Sequence, residues 1–265
     1  MDRLGAEALL GRRITGQRPL HGGDLSEVTL CTLDDGSQMV VKTGPLVDRE
    51  GRMLEAMAVR GAPVPQVLGQ SGTLLLIEAL PETRPARDGW AKVSTALKHL
   101  HALEGTGYGW PEDYAFGSVE SPNGATIDWP GFWAERRLLP SLPHLPASLR
   151  PRIEALARAL PNLLPRRPAP ALLHGDLWSG NLLFTDAGPY LIDPACYHGD
   201  AEVDLGMLHL FGSPSADFHA AYGPLPAGWQ ARRPVYQLWP ALVHLRLFGA
   251  GYQALVERLL TTTGH

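Results

Sequence analysis

Apolar positions follow two different rhythms along the chain. In the first 80 residues they fall in short β-rich runs: "LSEVTLCTL" (25–33) and "SQMVVKT" (37–43) flank Asp34-Asp35-Gly36, which favours a tight antiparallel hairpin. "LVDREGRMLEAMAVRG" (46–61) keeps helical spacing and stops at Gly61 and the prolines beyond, and "PQVLGQ" and "TLLLIEAL" predict two more strands around Ser71-Gly72. With a further strand before Gly22, residues 1–80 read as a small antiparallel sheet with one main helix. "PETRPARD" (81–88) is proline-rich and charged, as a linker between lobes would be. Residues 89–265 change to helical spacing, seen in Trp90, Val93, Leu97, Leu100 and His101 and again in Ile153, Leu156, Ala157 and Leu160. The helices are interrupted over Leu172 to Ile192, where "LLHGDLWSGNLLF" reads as a β-hairpin turning at Ser179-Gly180-Asn181 and is followed by "PYLID". Residues 104–127 form a long glycine-rich loop. The expected fold class is α+β in two lobes, the second larger and mainly helical.

With 265 residues, 45% of them hydrophobic, the chain can build a sizeable core. No run of eighteen apolar residues occurs and the start lacks a signal-peptide pattern, so the expectation is a soluble, cytoplasmic protein with no membrane partner. A formal charge of −4 points away from nucleic acid and toward a small-molecule partner. Cys31 and Cys196 have neither disulfide-framework nor zinc-site spacing. Lysine is scarce: Lys42, Lys92 and Lys98 are the only three among 23 basic residues, so each one merits inspection.

Hairpin chemistry does not account for Asp176, a charge between apolar runs that must find a partner. His174-x-Asp176, Asn181 five residues after the aspartate and Leu191-Ile192-Asp193 downstream follow the order of a kinase catalytic loop and its metal-binding aspartate. Phosphoryl transfer needs a carboxylate to take the acceptor's proton and oxygen ligands to hold Mg²⁺ against the triphosphate of ATP. Asp176 suits the first task. Asn181 and Asp193 suit the second, since a neutral carbonyl oxygen binds a hard cation without adding repulsion.

The first lobe should then offer a lysine to the phosphates, and Lys42 ends the strand "MVVK". At 100° per residue Glu50 shares a helical face with Met53, Leu54 and Met57, while Glu55 points the opposite way. A carboxylate on the apolar face is costly unless paired, and Lys42 is its natural partner. Gly22 and Gly23 could cover phosphates with backbone N–H groups, and Glu78 lies where an adenine would meet the backbone.

"HGDLWSGN", "IDPACYHGDAEVDLGMLHLFG" and "DWPGFWAERRL" together resemble the fructosamine kinase, or ketosamine 3-kinase, family within the protein-kinase-like fold. The resemblance covers most of the chain. It implies ATP and Mg²⁺ as cofactors and ketoamines or glycated proteins as substrates, phosphorylated on the sugar 3-hydroxyl. It implies Asp176 as base, Asn181 and Asp193 as Mg²⁺ ligands, and Lys42 and Glu50 as the ion pair at ATP. Trp178 and His174 would meet the substrate, and Asp204 would hold the catalytic-loop backbone without contacting the substrate. The chain departs from the family at Tyr197-His198-Gly199-Asp200-Ala201-Glu202, where YYGHRE is common, and at Asp24, where some relatives carry a redox-active cysteine. Kinases of aminoglycosides, amino alcohols or free sugars, a catalytically silent nucleotide-binding regulator and a metal-dependent hydrolase stand as the alternatives. Oligomeric state is left open.

Overall fold

A computed structural model of the protein describes residues 2–20, 26–102 and 105–265. A short helix α1 (Arg3–Leu10), capped by Asp2, precedes β1 (Ile14–Pro19), β2 (Glu27–Leu33) and β3 (Gln38–Thr43). Helix α2 (Val47–Val59), β4 (Val67–Ser71) and β5 (Leu74–Glu78) complete the lobe. The strands form an antiparallel sheet in the order β1-β2-β3-β5-β4. Sequence patterning anticipates these strands and α2; α1 is an addition.

The run "LLLI" in β5 is explained by burial on both faces of the sheet. Leu74 and Leu76 pack with Ala6 of α1, and Leu75 and Ile77 pack with Met53, Leu54 and Met57 of α2. In β3 the same alternation puts Met39 and Val41 on the α1 side, which turns Lys42 toward α2. Helix and sheet approach closely at Gly51, where an added Cβ would lie 1.9 Å from Gln70 Oε1 and 2.9 Å from Leu75 Cδ1. The helix ends where Ala62 N–H donates to Met57 O and Gly61 takes a φ of +75°.

Between β5 and α3 (Gly89–His101) the chain carries no helix or strand, and Thr83 N–H donates to Phe184 O (2.7 Å). The glycine-rich segment after α3 contains a small hairpin, β6 (Tyr114–Phe116) and β7 (Val119–Ser121). Helix α4 (Trp129–Trp133) runs on through a π-helical turn (Ala134–Leu138) and a 3-10 turn toward α5 (Arg150–Leu163).

Strands β8 (Ala171–Leu173), β9 (Leu182–Thr185), β10 (Gly188–Leu191) and β11 (Tyr197–Gly199) follow. They correct the hairpin expected over Leu172–Phe184: β8 pairs with β11, and β9 pairs with β10. The segment between β8 and β9 is thereby freed from strand pairing and becomes a loop. Helices α6 (Glu202–Leu208), α7 (Ala216–Tyr222), α8 (Trp229–Phe248) and α9 (Gln253–Thr262) complete the larger lobe.

The larger lobe has an aromatic core in which Trp129, Phe132, Trp133, Tyr236 and Trp239 are all buried. Arg137, carried by the π turn, is fully buried among them. Its guanidinium lies 4.2 Å from the Tyr197 ring centre, 4.8 Å from Phe132 and 5.4 Å from Trp239. It donates to Pro122 O (2.7 Å) and Asn123 Oδ1 (2.8 Å), fastening the β6–β7 segment to the core.

Candidate active site

The loop between β8 and β9 is built around a glycine that no other residue replaces easily. Gly175 has a φ of +79°, and a Cβ there would lie 2.0 Å from Ala195 O. The close approach belongs to a lattice of bonds between two segments: Ala195 N–H donates to His174 O (2.8 Å), Ile192 N–H to Asn181 O (3.1 Å), and His174 Nε2–H to Ile192 O (2.9 Å). With Nε2 protonated, His174 Nδ1 accepts from Asp176 N–H (3.3 Å). His174, expected against the substrate, is instead fully buried, and burial depresses its pKa. Both of its ring nitrogens are used within the chain, so it shapes the loop from beneath.

Asp204 secures the same loop from α6. Its Oδ2 accepts from His174 N–H (2.8 Å) and from His101 Nε2 (3.0 Å), and its Oδ1 accepts from Gly175 N–H (2.9 Å). Burial alone would raise the pKa of this carboxyl. The His101 bond and its neighbours outweigh burial and hold it below the usual range. Tyr222 in turn bonds His101 Nδ1 (2.9 Å). The participation of His101 and Tyr222 has no sequence signal, because α3 and α7 meet only in three dimensions.

On the other side of this loop Asp176 is half-buried, and Asn181 Nδ2 donates to its backbone O (2.8 Å) and its Oδ2 (2.9 Å). Burial, opposed by the Asn181 bond and reinforced by Asp193 and Asp204, pushes its pKa up to about 7. With its amide nitrogen committed, Asn181 keeps its carbonyl oxygen for another ligand. Asp193 is the only non-glycine residue with positive φ among the described residues (+55°). That backbone turn presents its carboxylate, 38% exposed, to Lys42 Nζ at 2.7 Å. Lys42 Nζ also lies 2.6 Å from Glu50 Oε1, both side chains being buried. Burial would lower the Lys42 pKa; the charges of Glu50 and Asp193 more than offset this and hold it above its ordinary value.

Lys42, Glu50, Asp176, Asn181 and Asp193 thus converge from both lobes on a cavity of about 370 Å³. Asp193 and the Asn181 carbonyl form an oxygen-only pair, the donor chemistry that suits Mg²⁺ completed by phosphate and water. Lys42 supplies a fixed cation beside them. Trp178 also lines the cavity, 40% exposed, its ring lying over Gly180 where a Cβ would meet it at 2.3 Å. Glu78 is not brought to this cavity: it ends β5, with its N–H donating to Gln66 O (2.9 Å) and its Oε2 accepting from Gln66 N–H (3.2 Å). Gly22 and Gly23 lie outside the described residues. Sequence reading missed Tyr114 and Phe116 from the glycine-rich segment and one face of α8, which form much of the remaining wall. The length of that segment was the available signal for the first two; α8 offered none, because it is buried on most sides.

No helix among the described residues is long and apolar enough to cross a membrane. The architecture is a protein-kinase-like fold: at 16% identity and a TM-score of 0.65, the streptomycin–ATP–APH(2")-IIa ternary complex covers 97% of this chain and 94% of its own. The crystal structure of a "putative fructosamine-3-kinase" from Thermobifida fusca is 31% identical, with a TM-score of 0.92, covering 99% of this chain and 98% of that one. A "probable ketoamine kinase" of Synechocystis sp. is 35% identical over 94% of this chain and 90% of the relative. Residues 4–263 match the family described as fructosamine kinase, and with that match spanning nearly its whole length, the chain belongs to the fructosamine kinase family.

Proposed function

We propose that this protein is a ketosamine 3-kinase, using ATP and Mg²⁺ to phosphorylate the sugar 3-hydroxyl of ketoamines such as ribulosamines, erythrulosamines or fructosamines. The resulting 3-phosphate is unstable and releases the amine, so the activity would serve deglycation. The observation that carries the reading is Asp176, a half-buried carboxylate with one oxygen held by Asn181, at the meeting point of the Lys42–Glu50–Asp193 cluster and the open cavity.

When bound, ATP would supply the phosphoryl group and Mg²⁺ would neutralise part of the charge on its phosphates. Asp176 would take the proton of the acceptor hydroxyl during transfer of the phosphoryl group from ATP, with ADP as the leaving group. Lys42 offers its ammonium to the phosphates, and Glu50 fixes where that ammonium points. Asn181 and Asp193 would hold the metal. Asp204 and His174 work only through the backbone they fasten. The chain's contribution is therefore position and charge neutralisation.

ADP release with Mg-ATP and ribulose-, erythrulose- and fructose-derived lysine ketoamines, with choline and kanamycin as controls, tests this. Turnover of a ketoamine that disappears in Asp176→Asn supports the assignment. Silence on every ketoamine alongside turnover of a control would overturn the acceptor and retain a kinase.

A further inference from the structure

The cavity has two chemically different ends. Among its described lining residues the charged side chains are Lys42, Glu50, Asp176 and Asp193, all gathered at the catalytic end. The wall leading away is formed by Tyr114, Phe116 and above all α8, where Trp239-Pro240, Val243-His244 and Leu247-Phe248 recur every four residues on one face. At 1.5 Å per residue this stripe is about 13 Å long. Its exposure climbs from 3% at Trp239 and 5% at Val243 to 52% at Phe248, so the stripe leads from the core to solvent. His244 is occupied with the helix itself, its Nδ1–H donating to Pro240 O (2.8 Å), and its ring packs 5.4 Å from that of Phe248.

A ketoamine carries its nitrogen on C1 and the reacting hydroxyl on C3, three bonds from that nitrogen to C3. Whatever the nitrogen bears therefore begins at the catalytic end and must leave along the remaining wall. Its protonated nitrogen can stay near the carboxylates, but a charged substituent further out meets no counter-charge on the stripe. An apolar one covers Leu247 and Phe248, which are otherwise wet.

Resting on the ketoamine reading above, we propose that the Trp239–Phe248 face of α8 is the binding site for the amine-borne group, and that the enzyme selects ketoamines of apolar or aromatic primary amines over those of lysine. Covering a phenyl group on a partly exposed wall is worth about a tenfold gain in kcat/KM, carried by KM because the contact is the same in ground and transition states.

The test uses three ketoamines of the sugar that turns over best, built on phenethylamine, lysine and taurine, with kcat and KM from ADP release. The phenethylamine adduct should exceed the lysine adduct by about tenfold, with taurine lowest. Phe248→Ser should collapse the ratio toward one, and Phe248→Asp should tilt it toward lysine. Because Phe248 is half exposed, both variants should keep the wild-type thermal midpoint. Parity of the three adducts, or an aromatic preference that survives both substitutions, overturns the α8 assignment alone. Turnover of no ketoamine overturns the ketoamine reading and this inference with it.

Discussion

Replacing Asp204 by asparagine tests whether one carboxylate holds the catalytic loop. Both oxygens are in use: Oδ2 serves His174 N–H and His101, and Oδ1 serves Gly175 N–H. Whichever way the amide of asparagine is turned, its NH₂ faces a backbone N–H, leaving a buried donor unsatisfied at a cost of about 1–3 kcal/mol. The surviving bonds lose their charge assistance, roughly 1 kcal/mol each. The sum, about 3–5 kcal/mol, is a large part of the 5–15 kcal/mol that ordinarily separates folded from unfolded protein. At about 2–4 °C per kcal/mol for a chain of this size, the thermal midpoint at pH 7 should fall by roughly 6–20 °C. Acid sharpens the test. The folded Asp204 carboxyl lies below its unfolded value, so its stabilisation is present above pH about 4 and is lost as pH falls further through the folded pKa. The difference between wild type and Asp204→Asn, followed by circular dichroism, should therefore narrow from pH 7 toward pH 3. A midpoint loss under about 2 °C at pH 7, or a gap that does not narrow in acid, would refute the role given to Asp204.

Other perturbations separate chemistry from scaffolding. Asp176→Asn should lower kcat by roughly 10²–10⁴-fold with little change in thermal midpoint, since it deletes a proton acceptor and keeps the shape; steady-state ADP release checks this. Lys42→Met leaves Glu50 buried without its cation and should cost about 3–5 kcal/mol, whereas Lys42→Met with Glu50→Leu should regain most of that stability while remaining inactive. Urea midpoints compared with turnover rates distinguish those outcomes. Gly175→Ala forces a side chain into a left-handed backbone and against Ala195 O, so it should lower both thermal midpoint and kcat; retention of either would show that the His174–Ala195 lattice yields easily.

The sequence by itself determined the local features and the chemistry they carry. The Asp34-Asp35-Gly36 hairpin, the face of α2 that holds Glu50, the two-lobed α+β plan and the order His174, Asp176, Asn181, Asp193 are all legible because turn chemistry and periodicity act between near neighbours. Tertiary structure alone decided the partners. "ALL" and "LLF" have the same apolar character whether they pair with each other or with distant strands, so the sequence suggested a hairpin where β8 joins β11 and β9 joins β10. Lys42 meets Asp193 across 151 residues, and His101 and Asp204 meet across 103, distances at which no residue pattern specifies contact. His174 had the right chemistry for a substrate contact, but composition does not say which way a ring points, and the packing beneath the loop claimed both of its nitrogens. The α8 stripe was hidden for a related reason. A helix buried on most sides shows no amphipathic contrast, and only the cavity beside it marks one face as a wall.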